Sequence, residues 1–148
     1  MRVGIRPPFL ALGLTAAALG LQFTPLGARV VPWPWAWSGA VVVAAGAAGI
    51  AWTLRLFARR GTTHHPFHDS TALVDTGPYA VSRNPMYLSL ALVLLGLGLL
   101  VGSVPFLAVP VVHLLAMNFA YVPSEEARLA RVFGPVYDAY RARVRRWI

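Results

Sequence analysis

The sequence predicts an all-α polytopic membrane protein of about four transmembrane helices followed by a broken amphipathic C-terminal helix. Three observations lead there. Of 148 residues, 57% are hydrophobic and 12% charged, with a mean hydropathy of +0.62; an ordinary soluble domain carries about 25% charged residues. Four apolar runs cover most of the chain, and a spanning helix needs roughly 20 such residues. The 13 basic residues are all arginine and gather at the ends of those runs. One membrane domain is expected: the first two spans over 1–60, a polar loop over 61–84, a transmembrane hairpin over 85–122 and an amphipathic tail over 123–148.

The net charge of +8 belongs to this pattern. The arginines sit at membrane boundaries, with no aromatic-basic reading surface, so anionic headgroups rather than nucleic acid are the expected partner. With no cysteine, disulfides, a thiolate nucleophile and a Cys-ligated metal are excluded.

The first span is placed at about Phe9–Gly27. Arg2 and Arg6 ahead of it resemble the start of a signal peptide. However, Leu26-Gly27-Ala28 is a poor cleavage site and more hydrophobic spans follow, so the run reads as a retained helix. Arg29 and Pro32-Trp33-Pro34-Trp35 form a loop whose tryptophans suit the headgroup level. The second span, about Trp35–Phe57, carries Gly39, Gly46 and Gly49, which permit close helix contact, and ends at Arg55, Arg59 and Arg60. Two shorter spans, Pro85–Val101 and Val104–Val122, are joined by Gly102-Ser103 alone and must form an antiparallel hairpin; bilayer thinning or flanking arginines accommodate their length. In the tail, Leu129, Val132, Phe133, Val136, Tyr137, Tyr140 and Val144 recur at helical spacing, and Gly134-Pro135 should divide it, Pro135 opening the second helix.

Arginine counting orients the chain. With four spans, the N-terminus, the 61–84 loop and the tail share one side and carry 2, 4 (including Arg55) and 6 arginines, against Arg29 alone opposite. That side is expected to be cytoplasmic, with both termini on it.

The polar chemistry gathers there too. From Leu73 to Tyr87 run Thr76-Gly77-Pro78-Tyr79 and Arg83-Asn84-Pro85-Met86-Tyr87. As plain structure this is a turn, a cap at Asn84 and a proline at the first helical position. As chemistry, helix-start amides, Arg83 and two tyrosines frame an anion-binding pocket. The only glutamates, Glu125 and Glu126, follow the fourth span. They suit the positive end of a helix dipole, yet the hairpin also brings them beside Arg83-Asn84-Pro85.

Gly77-Pro78-Tyr79, Arg83-Asn84-Pro85-Met86-Tyr87, the hairpin and Glu125-Glu126 together resemble the isoprenylcysteine carboxyl methyltransferase and phospholipid methyltransferase superfamily. In the tail, Phe133-Gly134, Tyr137, Tyr140, Arg143 and Val144 reproduce an F-G-x-x-Y-x-x-Y-x-x-R-V spacing of the isoprenylcysteine enzymes; the resemblance covers about residues 73–148. It implies an integral membrane methyltransferase that uses S-adenosylmethionine, in a cytosol-facing pocket completed by the tail, and a lipophilic acceptor arriving from the bilayer. Carried over by position, Tyr79, Arg83, Asn84, Pro85 and Tyr87 line the pocket from one side and Glu125 and Glu126 from the other. Tyr137, Tyr140 and Arg143 close it, and Arg83, Glu125 and Arg143 are the residues expected at the chemistry. Many relatives have histidine at the position of Asn84; asparagine is common among bacterial-type members, and a prokaryotic plasma membrane is the expected location.

The physics agrees. Glutamates can pair with the cofactor's ammonium, arginine with its carboxylate, and tyrosine faces with its sulfonium, at roughly 0.5–2 kcal/mol. The acceptor that the resemblance implies is a prenylcysteine-like carboxylate, a phospholipid amine or another small apolar molecule. His113, inside the fourth span with Met117 and Tyr121 on its face, is either a neutral interhelical histidine or a further pocket residue. His64-His65-Pro66-Phe67-His68-Asp69 lacks a partner cluster and reads as an interfacial loop, so no metal is expected. Two other classes remain: a nicotinamide-dependent membrane reductase, and a non-enzymatic membrane scaffold that keeps the motifs as helix caps.

Overall fold

A computed structural model of the chain describes residues 6–59 and 73–148. Arg2, Arg60 and the His64–Asp69 run lie outside them. Helix α1 spans Pro7–Leu21, its two prolines filling the first turn, where backbone N–H groups have no helical partner. It stops short of the expected Gly27 because Pro25 cannot continue it. Thr24 is extended (φ −104°) and its hydroxyl accepts from Leu26 N, opening a 3₁₀ turn over Pro25–Gly27. The short α2 (Trp33–Ala36) leads into α3 (Ser38–Arg59), the longest of the first half.

The hairpin is α4 (Pro85–Val101) and α5 (Val104–Ala116), turned at Gly102, whose left-handed φ of 73° favours glycine. Ser103 Oγ donates to Gln22 Oε1 at 2.6 Å, tying the joint to the end of α1. Beyond α5 the helix continues past Pro123, where the tail begins. A π turn over Met117–Tyr121 runs directly into α6 (Val122–Phe133), with Pro123, which has no N–H to give a preceding carbonyl, just after that turn. Gly134 (φ 49°) then separates α6 from α7 (Pro135–Arg143) at the expected place.

Two helical stretches, Trp33–Arg59 (27 residues) and Val104–Phe133 (30 residues), are long and apolar enough to cross a bilayer; Pro7–Leu21 and Pro85–Val101 are apolar but shorter. The four expected runs are therefore all helical, with two of full spanning length. Val41, Trp52, Leu115 and Phe119 are exposed on this apolar exterior, a surface that suits lipid better than water.

Helix α3 packs most closely on α4, through glycine. A Cβ added at Gly46 would lie 2.7 Å from Ser89 O, and one at Gly96 would lie 2.6 Å from Gly39 O. Gly46→Ala must therefore push the helices apart. The expected loss is roughly 1–3 kcal/mol, read as a lower unfolding temperature in detergent. Gly13→Ala, with nothing within 4 Å of the new methyl, should leave that temperature unchanged or raise it.

The core falls into three clusters along the axis. Ala11, Ala18, Leu94, Phe106 and Val109 join α1, α4 and α5; Met117, Tyr121 and Val122 pack with Tyr87 and Trp147; Tyr137, Tyr140 and Val144 pack with Leu73, Leu129 and Phe133. The last two flank the open end of the hairpin, where the polar residues lie.

Candidate active site

Pro85 occupies the first position of α4 and has no N–H to satisfy, while Asn84 takes the N-cap position. Asn84 does not cap. Its Nδ2 donates to Arg146 O at 3.0 Å, and its backbone N–H goes to Ser82 Oγ at 3.1 Å. Arg83 N donates to Arg145 O at 3.0 Å. The amides of Arg83 and Asn84, just ahead of the helix, are thus already bonded, and the Arg83 guanidinium is the charged candidate for an anion.

Opposite, the first turn of α6 presents two carboxylates with different surroundings. Glu126 is saturated: Arg83 Nη1 lies 3.1 Å from its Oε1, and Arg146 grips both oxygens, at 3.1 and 2.7 Å. Such forked pairs are the strong charge-assisted bonds. Glu125 has one neutral hydrogen bond, from Tyr87 OH at 2.7 Å. Burial holds its carboxyl above the usual range; the Tyr87 bond and Arg128 pull it partly back. Among the described residues no ion pair forms at Glu125, whereas Glu126 holds two.

The tail supplies the third wall. Arg83 Nη1 donates to Tyr137 OH at 3.1 Å, and Tyr140 OH donates to Tyr79 O at 2.8 Å. Burial raises the phenols of Tyr79, Tyr137 and Tyr140, which stay neutral at ordinary pH. Together these residues line a partly open cleft of about 140 Å³. Phe57, Leu73, Met86, Leu129 and Phe133 form its apolar part. Arg83 Nε is buried there without a hydrogen-bond partner among the described residues, and an orphaned guanidinium donor is costly unless a ligand meets it.

Residues 35–136 match the phospholipid methyltransferase family. The chain belongs to that family. It falls within the isoprenylcysteine carboxyl methyltransferase superfamily. The chain is also 36% identical over 74 residues to the nickel-cobalt-cadmium resistance protein NccN of Alcaligenes xylosoxydans xylosoxydans, covering 50% of this chain and 34% of that protein. The match thus spans about a third of that curated relative's length. No solved structure matches.

In this member of the phospholipid methyltransferase family, Tyr79, Arg83, Asn84, Tyr87, Glu125, Glu126, Tyr137 and Tyr140 line one cleft. Three residues expected there do not. Pro85 is buried in the first turn of α4, its carbonyl accepting from Ser89 Oγ. Arg143 points outward: its side chain is 68% exposed and pairs with Asp75 at 3.5 Å, a surface contact worth about 0–1 kcal/mol. His113 lies 12 residues before Glu125 in the sequence, about 18 Å along the helix, buried between the first two core clusters. Neither of its ring nitrogens has a partner among the described residues. Replacing such a group with an apolar one of similar size is neutral or stabilising. His113→Leu is therefore expected to gain up to about 1 kcal/mol in thermal unfolding and to leave ligand binding unchanged.

Sequence reasoning also missed residues. Arg146 and Asn118 reach the site through tertiary contacts alone, and the π turn that bears Asn118 has no local sequence signature. The apolar residue Phe57 was legible only as the end of a span. Among the described residues no three His, Asp or Glu side chains gather as a metal site would need.

Proposed function

We propose that the chain is an integral membrane methyltransferase that uses S-adenosylmethionine and acts on a lipophilic acceptor, either a prenylcysteine-like carboxylate or a phospholipid amine. The observation that carries this reading is the pairing, in one cleft of a phospholipid methyltransferase family member, of a guanidinium donor at Arg83 and a carboxylate at Glu125, the first without a hydrogen-bond partner and the second without an ion pair among the described residues. The cofactor's amino-acid end fits both: its carboxylate suits Arg83 and its ammonium Glu125. The rings of Tyr79, Tyr87 and Tyr140 suit a sulfonium. When bound, S-adenosylmethionine supplies a methyl group on a cationic sulfur, ready for direct displacement.

The chain's own residues hold and orient. Arg83, fixed by Glu126 and Tyr137, anchors the carboxylate of the ligand's amino-acid end; Glu125, fixed by Tyr87, anchors its ammonium. Phe57, Leu73, Met86, Leu129 and Phe133 exclude water and offer an apolar acceptor a surface, and positioning and dehydration of this kind supply much of the rate in a displacement. We read α1, α3, α4 and α5 with the π turn that follows it as four crossings of a prokaryotic plasma membrane, α6 leaving the bilayer and both termini cytoplasmic. The cleft then faces the cytosol at the membrane surface, within reach of both the soluble cofactor and a lipid acceptor.

Calorimetry on detergent-purified protein tests the reading: saturable binding of S-adenosylmethionine and of S-adenosylhomocysteine is expected, and absence of both overturns it. A pH dependence follows. Glu125 must ionise to pair with the ammonium, and its carboxyl is held above 4.5. Affinity should therefore rise with pH through the range above that value, with proton release detectable as a buffer-dependent heat.

A further inference from the structure

The last residues of the chain, beyond both α7 and the part matched by the family, form a strap across the open end of the hairpin. One end of the strap is held by the approach to α4. Arg83 N donates to Arg145 O, and Ser82 Oγ and Asn84 Nδ2 both donate to Arg146 O, at 3.2 and 3.0 Å. The other end is held by the α5–α6 side. The Arg146 guanidinium takes Glu126 through both oxygens and Asn118 Oδ1 at 3.2 Å, and Trp147 Nε1 donates to the same Oδ1 at 3.0 Å. Hydrogen bonding to Glu126 also raises the Arg146 guanidinium further above its ordinary value, keeping it charged.

We propose that this strap sets the separation between Arg83 and Glu125, with Arg146 as its positioning residue, and so makes the cleft selective for a zwitterionic amino-acid group. The proposal rests on the cofactor reading above. Arg83 stands on the approach to α4 and Glu125 on α6, and a ligand that bridges them with a carboxylate and an ammonium on one carbon tolerates little change in spacing. Between the α4 approach and the turn bearing Glu126, Arg146 contributes both its carbonyl and its guanidinium. It also neutralises Glu126 jointly with Arg83, which leaves Glu125 as the carboxylate open to the ligand's ammonium. Arg146 need not touch the ligand to do this.

Two thioethers distinguish positioning from general support. S-adenosylhomocysteine carries the amino-acid end; 5′-methylthioadenosine has the same nucleoside and sulfur without it. In calorimetry on the full chain in detergent, Arg146→Gln and Asn118→Ala are each expected to weaken S-adenosylhomocysteine by about ten-fold or more and to leave methylthioadenosine unchanged. Asn118→Ala releases the strap without touching Glu126, which covers the case in which Arg146→Gln fails to fold. Arg146→Lys keeps the charge but not the fork, and should recover part of the loss. Equal weakening of both ligands, or no weakening of either, overturns the strap's role while leaving the cofactor reading intact. Failure of the unaltered protein to bind either compound overturns the cofactor reading itself, and the proposal with it.

Discussion

Glu125→Gln is expected to weaken S-adenosylmethionine about 10–100-fold while leaving the free protein at least as stable at neutral pH. Hydrogen bonds to charged groups contribute about 1.5–3 kcal/mol, which is the affinity lost when the ammonium meets a neutral amide. The substitution keeps the acceptor for Tyr87 OH, now bonded to Oε1 at 2.7 Å, so the cleft retains its shape. The stability effect runs the other way because the folded carboxyl is raised. Its stabilising contribution is complete below the unfolded value and is lost as pH rises through the folded one. Glutamine carries no such loss, and the variant's affinity should also be flat with pH. Paired calorimetry and thermal unfolding across pH would check both. Unchanged affinity in a folded variant would remove Glu125 from the ligand site.

Glu126→Gln should behave differently although the residue is its neighbour. Here the substitution strips the shared counter-ion from Arg83 and Arg146, whose side chains are only 14% and 34% exposed. Breaking a fully buried pair by removing one partner costs about 3–5 kcal/mol; with some solvent still reaching these groups, roughly 2–3 kcal/mol is expected. The measured result should be a large drop in unfolding temperature at neutral pH, with loosening of the 144–148 strap visible as faster amide hydrogen exchange at Arg83, whose N–H is bonded to Arg145 O. Equal stability of the Glu125 and Glu126 variants would show that the two carboxylates are not divided between ligand and framework as their contacts imply.

That division was not legible in the sequence, where Glu125 and Glu126 are two adjacent acids in one helical turn. Successive helical residues project about 100° apart, so neighbours meet different surroundings. Which of them meets Tyr87 and which meets two arginines depends on the rotation of α6 about its axis. The π turn at Met117–Tyr121 contributes to that rotation. The same dependence explains Arg143 and His113. Both sit at helical spacing from site residues, yet the fold turns Arg143 outward to Asp75 and keeps His113 far along the helix from the open end.

By itself the sequence determined the helices, their approximate ends, the Gly102-Ser103 joint and the meeting of Arg83–Tyr87 with Glu125-Glu126. Each rests on local chemistry: apolar run length, proline at a first turn, glycine at a left-handed position, and a joint too short for any connection but a hairpin. It also placed the chain's resemblance correctly within its superfamily. Only the tertiary structure decided which carboxylate is neutralised, that the amides of Arg83 and Asn84 ahead of α4 are already bonded, and that Arg146 crosses the mouth to hold Glu126. Those outcomes depend on contacts between residues far apart in the chain, whose geometry follows from helix rotation and packing rather than from spacing along it.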